Sequence, residues 1–133
     1  MLKLEIVTPE KKVLETEADS VTVPTATGEA GILPSHAPLI SAVRPGILTY
    51  TAKGASDKLA VSAGFIEVNS DKVAVLVDTA EAADEIDLDA AKAARDEADK
   101  AITAAGLVPD EEASAQRDTA DHASARIQLA SGR

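Results

Sequence analysis

Up to about residue 80 the apolar side chains of this chain recur at every second position, and beyond Thr79 they recur at every third or fourth. Leu2, Leu4 and Ile6 alternate with Lys3 and Glu5, and Val21 and Val23 flank Thr22. A period of two puts alternate residues on one face of an extended strand. Further strands are expected at 47–51, 59–62, 65–68 and 73–77, the last an unbroken apolar run suited to a strand covered on both faces. Asn69, Ser70 and Asp71 form a turn signal, so the last two strands are expected to pair as a hairpin. Short strands punctuated by Gly, Pro and Asn predict a small flattened β-sandwich or barrel.

The second period predicts helices. Ala91, Ala94, Ala98, Ala101 and Ala105 lie three or four apart, with Gly106 placed as a stop and Pro109 as a break. A second stripe runs through Ala113, Gln116, Ala120, Ala123, Ile127 and Ala130. Two helices on a short link form an antiparallel hairpin, and small alanines let their backbones approach. The chain is therefore expected to be α+β, with a β-sandwich over 1–82 and a helical hairpin over 83–133. Alanine favours helix but buries little area, so the hairpin should be held weakly. A permanently packed hairpin fits the same stripes.

Only Tyr50 and Phe65 are aromatic, so the core must be built from Val, Ile, Leu and Ala. The formal charge of −10 repels phosphate backbones and anionic headgroups, which argues against nucleic-acid or membrane-surface binding. Residues 1–80 carry a net −3 and residues 81–133 a net −7, which marks the same division as the change of period. The absence of cysteine excludes disulfides and thiolate chemistry. The alternating start "MLKLEIVTP" predicts no secretory leader, and no apolar run reaches membrane-spanning length.

No catalytic constellation emerges. "TGEAG" lacks the lysine and spacing of a phosphate loop. His36 and His122, the two histidines, have no second ligand nearby in sequence, and no metal site is expected. Asp84, Glu85, Asp87 and Asp89 miss the EF-hand pattern and suit the positive end of a helix instead. Ser35 beside His36 lacks a nucleophile elbow, and the prolines at 34 and 38 point to a stiff loop with little entropy to lose on docking. Two classes remain on these grounds: a docking subunit of a larger assembly, and a ligand sensor whose hairpin closes over a bound molecule.

The stretches "GEAGILPSHAPLISAVRPGIL", "SAGFIEV" and "VAVLVDTAEAADEIDLDAAKAA", with the two-helix tail, resemble the epsilon subunit of the rotary F-type ATP synthase. The resemblance runs from about Leu4 to the C-terminus. It implies a flattened β-barrel followed by a helical hairpin, and a non-catalytic rotor subunit. In that family the subunit forms the central stalk with gamma and sits on the c-subunit ring, carrying proton-driven rotation to the catalytic head. It implies that Glu29, Gly31, His36 and Pro38 belong to the surface facing the ring and gamma. Gly28, Gly31 and Gly46 are also expected to serve backbone geometry. The hairpin is implied to reach the alpha and beta subunits, and the location to be peripheral, on the cytoplasmic side of a bacterial membrane, without lipid insertion.

Many members bind regulatory ATP through Ile-Asp-x-x-Arg-Ala at the start of the first helix. Here Ile86, Asp87 and Ala91 stand in that pattern with Ala90 in the arginine position, leaving Arg95 and Arg117 as the basic groups of a degenerate site. Losing the guanidinium removes a phosphate donor, so no cofactor is expected. The family's second helix is basic, whereas residues 110–133 carry a net −2, with Arg117 and Arg126 among the few cations. Calorimetric titration of the full chain with magnesium ATP should show weak or no binding; tight binding would mean that Arg95 or Arg117 serves the phosphates instead.

Overall fold

A computed structural model describes the backbone of residues 2–34, 37–105 and 110–131, with side chains outside 102–117. Ten strands are present among the described residues: β1 (Leu2–Val7), β2 (Lys12–Ala18), β3 (Ser20–Thr25), β4 (Gly28–Ile32), β5 (Leu39–Val43), β6 (Gly46–Ala52), β7 (Ala55–Val61), β8 (Gly64–Asn69), β9 (Lys72–Val77) and β10 (Ala80–Glu81). A 3-10 turn at Ala83–Glu85 leads to α1 (Leu88–Ala105) and α2 (Asp110–Ser131). The fold is the expected α+β arrangement, a sandwich of strands followed by two helices. Gly106 and Pro109, expected to end the first helix, lie outside the described residues, as do the side chains of Ala105, Ala113 and Gln116.

The strands run in the order β10-β7-β6-β3-β5-β8-β9-β1-β2, with β4 beside β3. A single register pair, Thr25 opposite Val43, joins β3 to β5. Backbone bonds from Ala26 to Ala42 (3.1 Å) and from Arg44 to Pro24 (2.9 Å) flank it. This narrow joint divides the sheet into two leaves, which close on one aliphatic core. Leu2, Leu4, Ile6, Ile66, Val73 and Val75 of one leaf meet Val21, Val23, Ile32, Leu48 and Val61 of the other, all fully buried. β1 enters between β2 and β9 and runs parallel to β9.

The β8–β9 hairpin turns where the sequence predicts. Ser70 (φ 50°) and Asp71 (φ 63°) take the left-handed conformation of a two-residue hairpin turn, a conformation that short polar side chains tolerate. Three sequence expectations need correction. β9 is buried on one face only: Val73, Val75 and Val77 point inward, while Leu76 is 48% exposed. β2 escapes the alternation test because a register shift at Ile6/Val7 pairs Val7 with Lys12 and Ile6 with Leu14. A bulge of this kind sets neighbouring side chains off the period of two. The segment read as a stiff loop contains β4 and β5, whose ladders to β3 and β8 supply the order assigned to the prolines alone.

Gly64 is fixed by space. A Cβ there would overlap the carbonyl oxygen of Leu76 and lie 2.8 Å from Val77 Cα, so β8 can approach β9 this closely only without a side chain. Gly46 is similar: its Cβ would stand 3.0 Å from Pro24 Cγ.

The helices pack differently from the strands. α1 rests on α2, and α2 on β6, β7 and the 3-10 turn, so the hairpin is folded onto the sandwich. Among the described side chains, those fully buried in it are alanines, Ala91 and Ala98 of α1 and Ala120, Ala123 and Ala125 of α2, with Ile127 and Leu129 half-buried. A buried Val or Leu contributes roughly 1.5–3 kcal/mol and an alanine methyl only a fraction of that. Residues 88–131 should therefore exchange amide hydrogens markedly faster than β8 and β9, and equal protection would show a hairpin as firmly built as the sandwich. Gly64→Ala should lower unfolding stability by roughly 2–3 kcal/mol in urea titration, and an unchanged midpoint would mean that β8 and β9 separate freely.

Candidate functional site

β4 pairs only with β3 and presents one outward face. Its entry is a tight turn in which the buried Thr25 hydroxyl donates to the Gly28 carbonyl at 2.6 Å and Gly28 adopts φ 121°. Beyond that turn Ala30 and Ile32 point to the core, and Glu29, Gly31 and Leu33 point to solvent. Pro38 and Ile40 are exposed just before and within β5. Leu33 (61% exposed) adds apolar area to this rim of β4, and Ile40 (77%) of β5 stands opposite the exposed Glu67. Of the residues implicated by sequence, Glu29 and Gly31 are exposed on β4, with Glu29 beside Asp121 and Gln128 of α2; Pro38 is exposed before β5, beside Glu67 and Asn69; His36 lies outside the described residues. Gly31 has an ordinary φ and nothing within 4 Å of an added Cβ, so the fold does not require glycine there, unlike Gly28 and Gly46.

A second surface has no counterpart among the sequence expectations. The register aligns Ala42, Phe65, Leu76 and Val7 in one row across β5, β8, β9 and β1. Phe65 is 61% exposed and faces Leu76 directly across the strand pair. Cross-strand neighbours pool their area into one patch, and a patch of this kind on a small domain marks a contact surface. The signal in the sequence is Phe65, one of two aromatics, in a strand whose alternation already supplies Ile66 and Val68 to the core. The adjacent outer surface of β1, β2 and β9 is charged and paired within itself. Lys12 bridges Glu15 (2.6 Å) and Glu5 (3.8 Å), Lys3 meets Glu15 (3.4 Å), and Lys72 meets Glu5 (3.7 Å). Hydrogen bonding and charge from Lys12, then from Lys3, hold the Glu15 carboxyl below the usual carboxylate range.

The third cluster lies where α2 meets the strand segment 78–81. Arg126 Nε stands 2.8 Å from Glu81 Oε1 as an ion pair without hydrogen-bond alignment, and a terminal guanidinium nitrogen donates to Oε2 at 3.4 Å. One turn earlier His122 Nε2 lies 3.2 Å from the Thr79 hydroxyl. Thr79 is itself tied to the end of β7: its N–H donates to the Ser62 hydroxyl at 2.9 Å, and its carbonyl accepts from Ser62 N–H at 3.1 Å. Burial, then the Arg126 charge, push the His122 imidazole below the usual histidine range, with Glu81 opposing. Arg44 approaches Asp121 at 3.9 Å on the other side of the helix.

Of the degenerate nucleotide set, Asp87, Ala91 and Arg95 follow one another at four-residue spacing at the start of α1. Asp87 is a helix cap: its Oδ1 accepts from Ala90 N–H at 3.1 Å, and its carbonyl from Ala91 N–H at 3.0 Å. Ile86 is half-buried beside it, and Ala91 is fully buried. Arg95 is exposed and pairs with Asp99 at 3.7 Å, and the Arg117 side chain lies outside those described. No described helix is long and apolar enough to cross a membrane.

Known proteins share this arrangement. Residues 1–83 match the model of the family described as ATP synthase, Delta/Epsilon chain, beta-sandwich domain. The ATP synthase epsilon chain of Geobacter metallireducens is 45% identical over 130 residues, covering 97% of this chain and 93% of the relative. That of Desulfitobacterium hafniense (strain Y51) is 49% identical over 100 residues, covering 75% and 76%. A chain of the Euglena gracilis mitochondrial ATP synthase (OSCP/F1/c-ring, rotational state 1) superposes with a TM-score of 0.77 at 23% identity, over 97% of this chain and 80% of its own. A chain of the Tetrahymena thermophila mitochondrial ATP synthase central stalk and c-ring does so at 0.57 and 17%, over 96% and 92%. Sandwich, hairpin and sequence agree: this chain belongs to the family of ATP synthase epsilon chains.

Proposed function

We propose that the chain is the non-catalytic epsilon subunit of a proton-translocating F-type ATP synthase, a rotor part seated between gamma and the c ring on the cytoplasmic side of a bacterial membrane. Membership of the family and the central-stalk and c-ring context of the structural neighbours support this placement. The observation that carries the docking role is the pairing of two surfaces with exposed apolar side chains with a neighbouring charged surface that satisfies itself. Phe65 and Leu76 offer an apolar centre with Arg44, Asp78 and Asp118 at its edge, the composition of an interface core with a polar rim. This row is assigned to gamma.

The rim of Glu29, Gly31 and Leu33, with Pro38 and His36, is assigned to the c ring. The exposed Glu29 and Leu33 flanking Gly31 suit a shallow polar loop, because the missing Cβ at Gly31 lets a partner backbone come close. The hairpin is a regulatory arm for hydrolysis. Its attachment through alanines and a few polar contacts makes detachment cheap, and its helices retain high propensity when detached. A 22-residue α2 spans roughly 33 Å at about 1.5 Å per residue, a reach that suits contact with the alpha and beta subunits.

Cysteine at position 29 should cross-link to c subunits and cysteine at position 65 to gamma in the assembled enzyme, which is a clean test because the chain has no native cysteine. Links from both positions to alpha or beta alone would overturn the docking assignment. Removing residues 87–133 should raise the ATP hydrolysis rate of the complex, modestly because α2 is acidic; an unchanged rate would remove the regulatory role and leave the docking role standing.

A further inference from the structure

The contacts between α2 and the strand segment 78–81 have a chemistry that the alanine seam lacks. His122 and Arg126 are four residues apart, so they project from the same face of α2, onto Thr79 and Glu81 respectively. They share one open cleft of about 470 Å³ between α2, the 3-10 turn, β10 and the β1–β2 turn. We infer that His122, Arg126, Thr79 and Glu81 form a proton-operated latch, which holds the hairpin on the sandwich while His122 is neutral and releases it when His122 is protonated.

The charged groups lining this cleft among the described residues are Glu10, Lys11, Asp78, Glu81, Glu85 and Arg126, and Asp118 stands one helical turn before His122 on α2. Glu81 could stabilise an imidazolium, but both of its oxygens are already engaged by Arg126. Glu85 is turned to its own backbone, its Oε1 accepting from Ala82 N–H at 2.9 Å. Asp78, Glu10 and Asp118 favour the charged form and Lys11 disfavours it. Against them stand the half-burial of the imidazole and a second cation one helical turn away. In the docked hairpin the neutral ring is therefore preferred, whereas a released α2 carries His122 in water at its ordinary affinity for protons.

The sign follows from linkage. The docked state binds fewer protons than the released state between the lowered docked pKa and the ordinary histidine value of 6.5. Docking is fully favoured above about pH 6.5 and weakens as the pH falls through that window, with the docked-to-released ratio dropping at most about tenfold per pH unit. The acidification that accompanies a change in proton traffic would thus loosen the arm without any ligand. The inference rests on the reading of the hairpin as a detachable arm.

Spin labels on cysteines replacing the exposed Glu17 of β2 and Lys92 of α1 report docking in the full chain through their distance distribution. A single docked distance is expected at pH 8, with a longer population growing between pH 6.5 and 5.5. His122→Gln keeps a hydrogen-bonding group toward Thr79 and cannot titrate, so its distribution should be independent of pH over that range. Nuclear magnetic resonance titration gives a second measurement: the His122 pKa should lie below that of a hairpin peptide and should rise in Arg126→Gln, where a cation is lost and Glu81 is freed. A longer population that grows equally in His122→Gln would overturn the latch and leave the detachable arm intact. One docked distance at every pH would overturn both.

Discussion

The two leaves of this sheet can close only because their shared interior is filled by short branched side chains. Valine, isoleucine and leucine from eight strands, with Ala18 of β2, fill its buried centre, and the one aromatic ring packed against it, Tyr50, is only partly buried. Such side chains interdigitate between closely spaced layers, and the cost is a demand for close backbone approach at particular points. Gly64 against Leu76 and Gly46 against Pro24 are those points. The joint at Thr25 and Val43 is another, since one register pair there turns the strand path from one leaf to the other. Everything displayed outside, including the rim on β4 and the row through Phe65, takes its position from that closure.

The hairpin is joined to this body by a different kind of contact. Strand meets strand through continuous ladders and aliphatic burial, whereas helix meets strand through alanine methyls and a few polar pairs. The first kind is insensitive to pH and salt, and the second responds to both. One chain thereby combines a rigid mount with an arm whose hold depends on solution conditions. The division follows from where the sequence places large side chains and where it places alanine.

The change of period at Thr79, the β8–β9 turn and the alanine stripes are legible in the amino-acid sequence because they are local features, and local features survive translation from sequence to fold. β2 is hidden because its bulge breaks the alternation by which a strand is recognised, and β4 and β5 because Gly28, Gly31, Pro34 and Pro38 resemble loop punctuation. The rim is signalled by a motif of a familiar family, whereas the apolar Leu33 and Ile40 stand out only once the strands are paired and their exposure is fixed. The row through Phe65 depends on the register of four strands. The latch joins Thr79 to His122 and Glu81 to Arg126 across separations of 43 and 45 positions, and no periodicity in either segment points to the other.

The placement of β1 between β2 and β9 has a consequence for how the chain is made. β1 leaves the ribosome just before β2 and can pair with it at once, but its parallel neighbour ends at Val77. Until then the edge of β1 that β9 will cover has no ladder partner, although the facing residues Val21 to Val61 have already emerged. At about 5–20 residues per second the interval is several seconds. Parallel pairing across so long a separation is also slow to form once both strands exist. The unpaired edge of β1 is therefore open to sticking or to chaperone capture during synthesis, and the interval ends only when the last long strand of the sandwich has emerged.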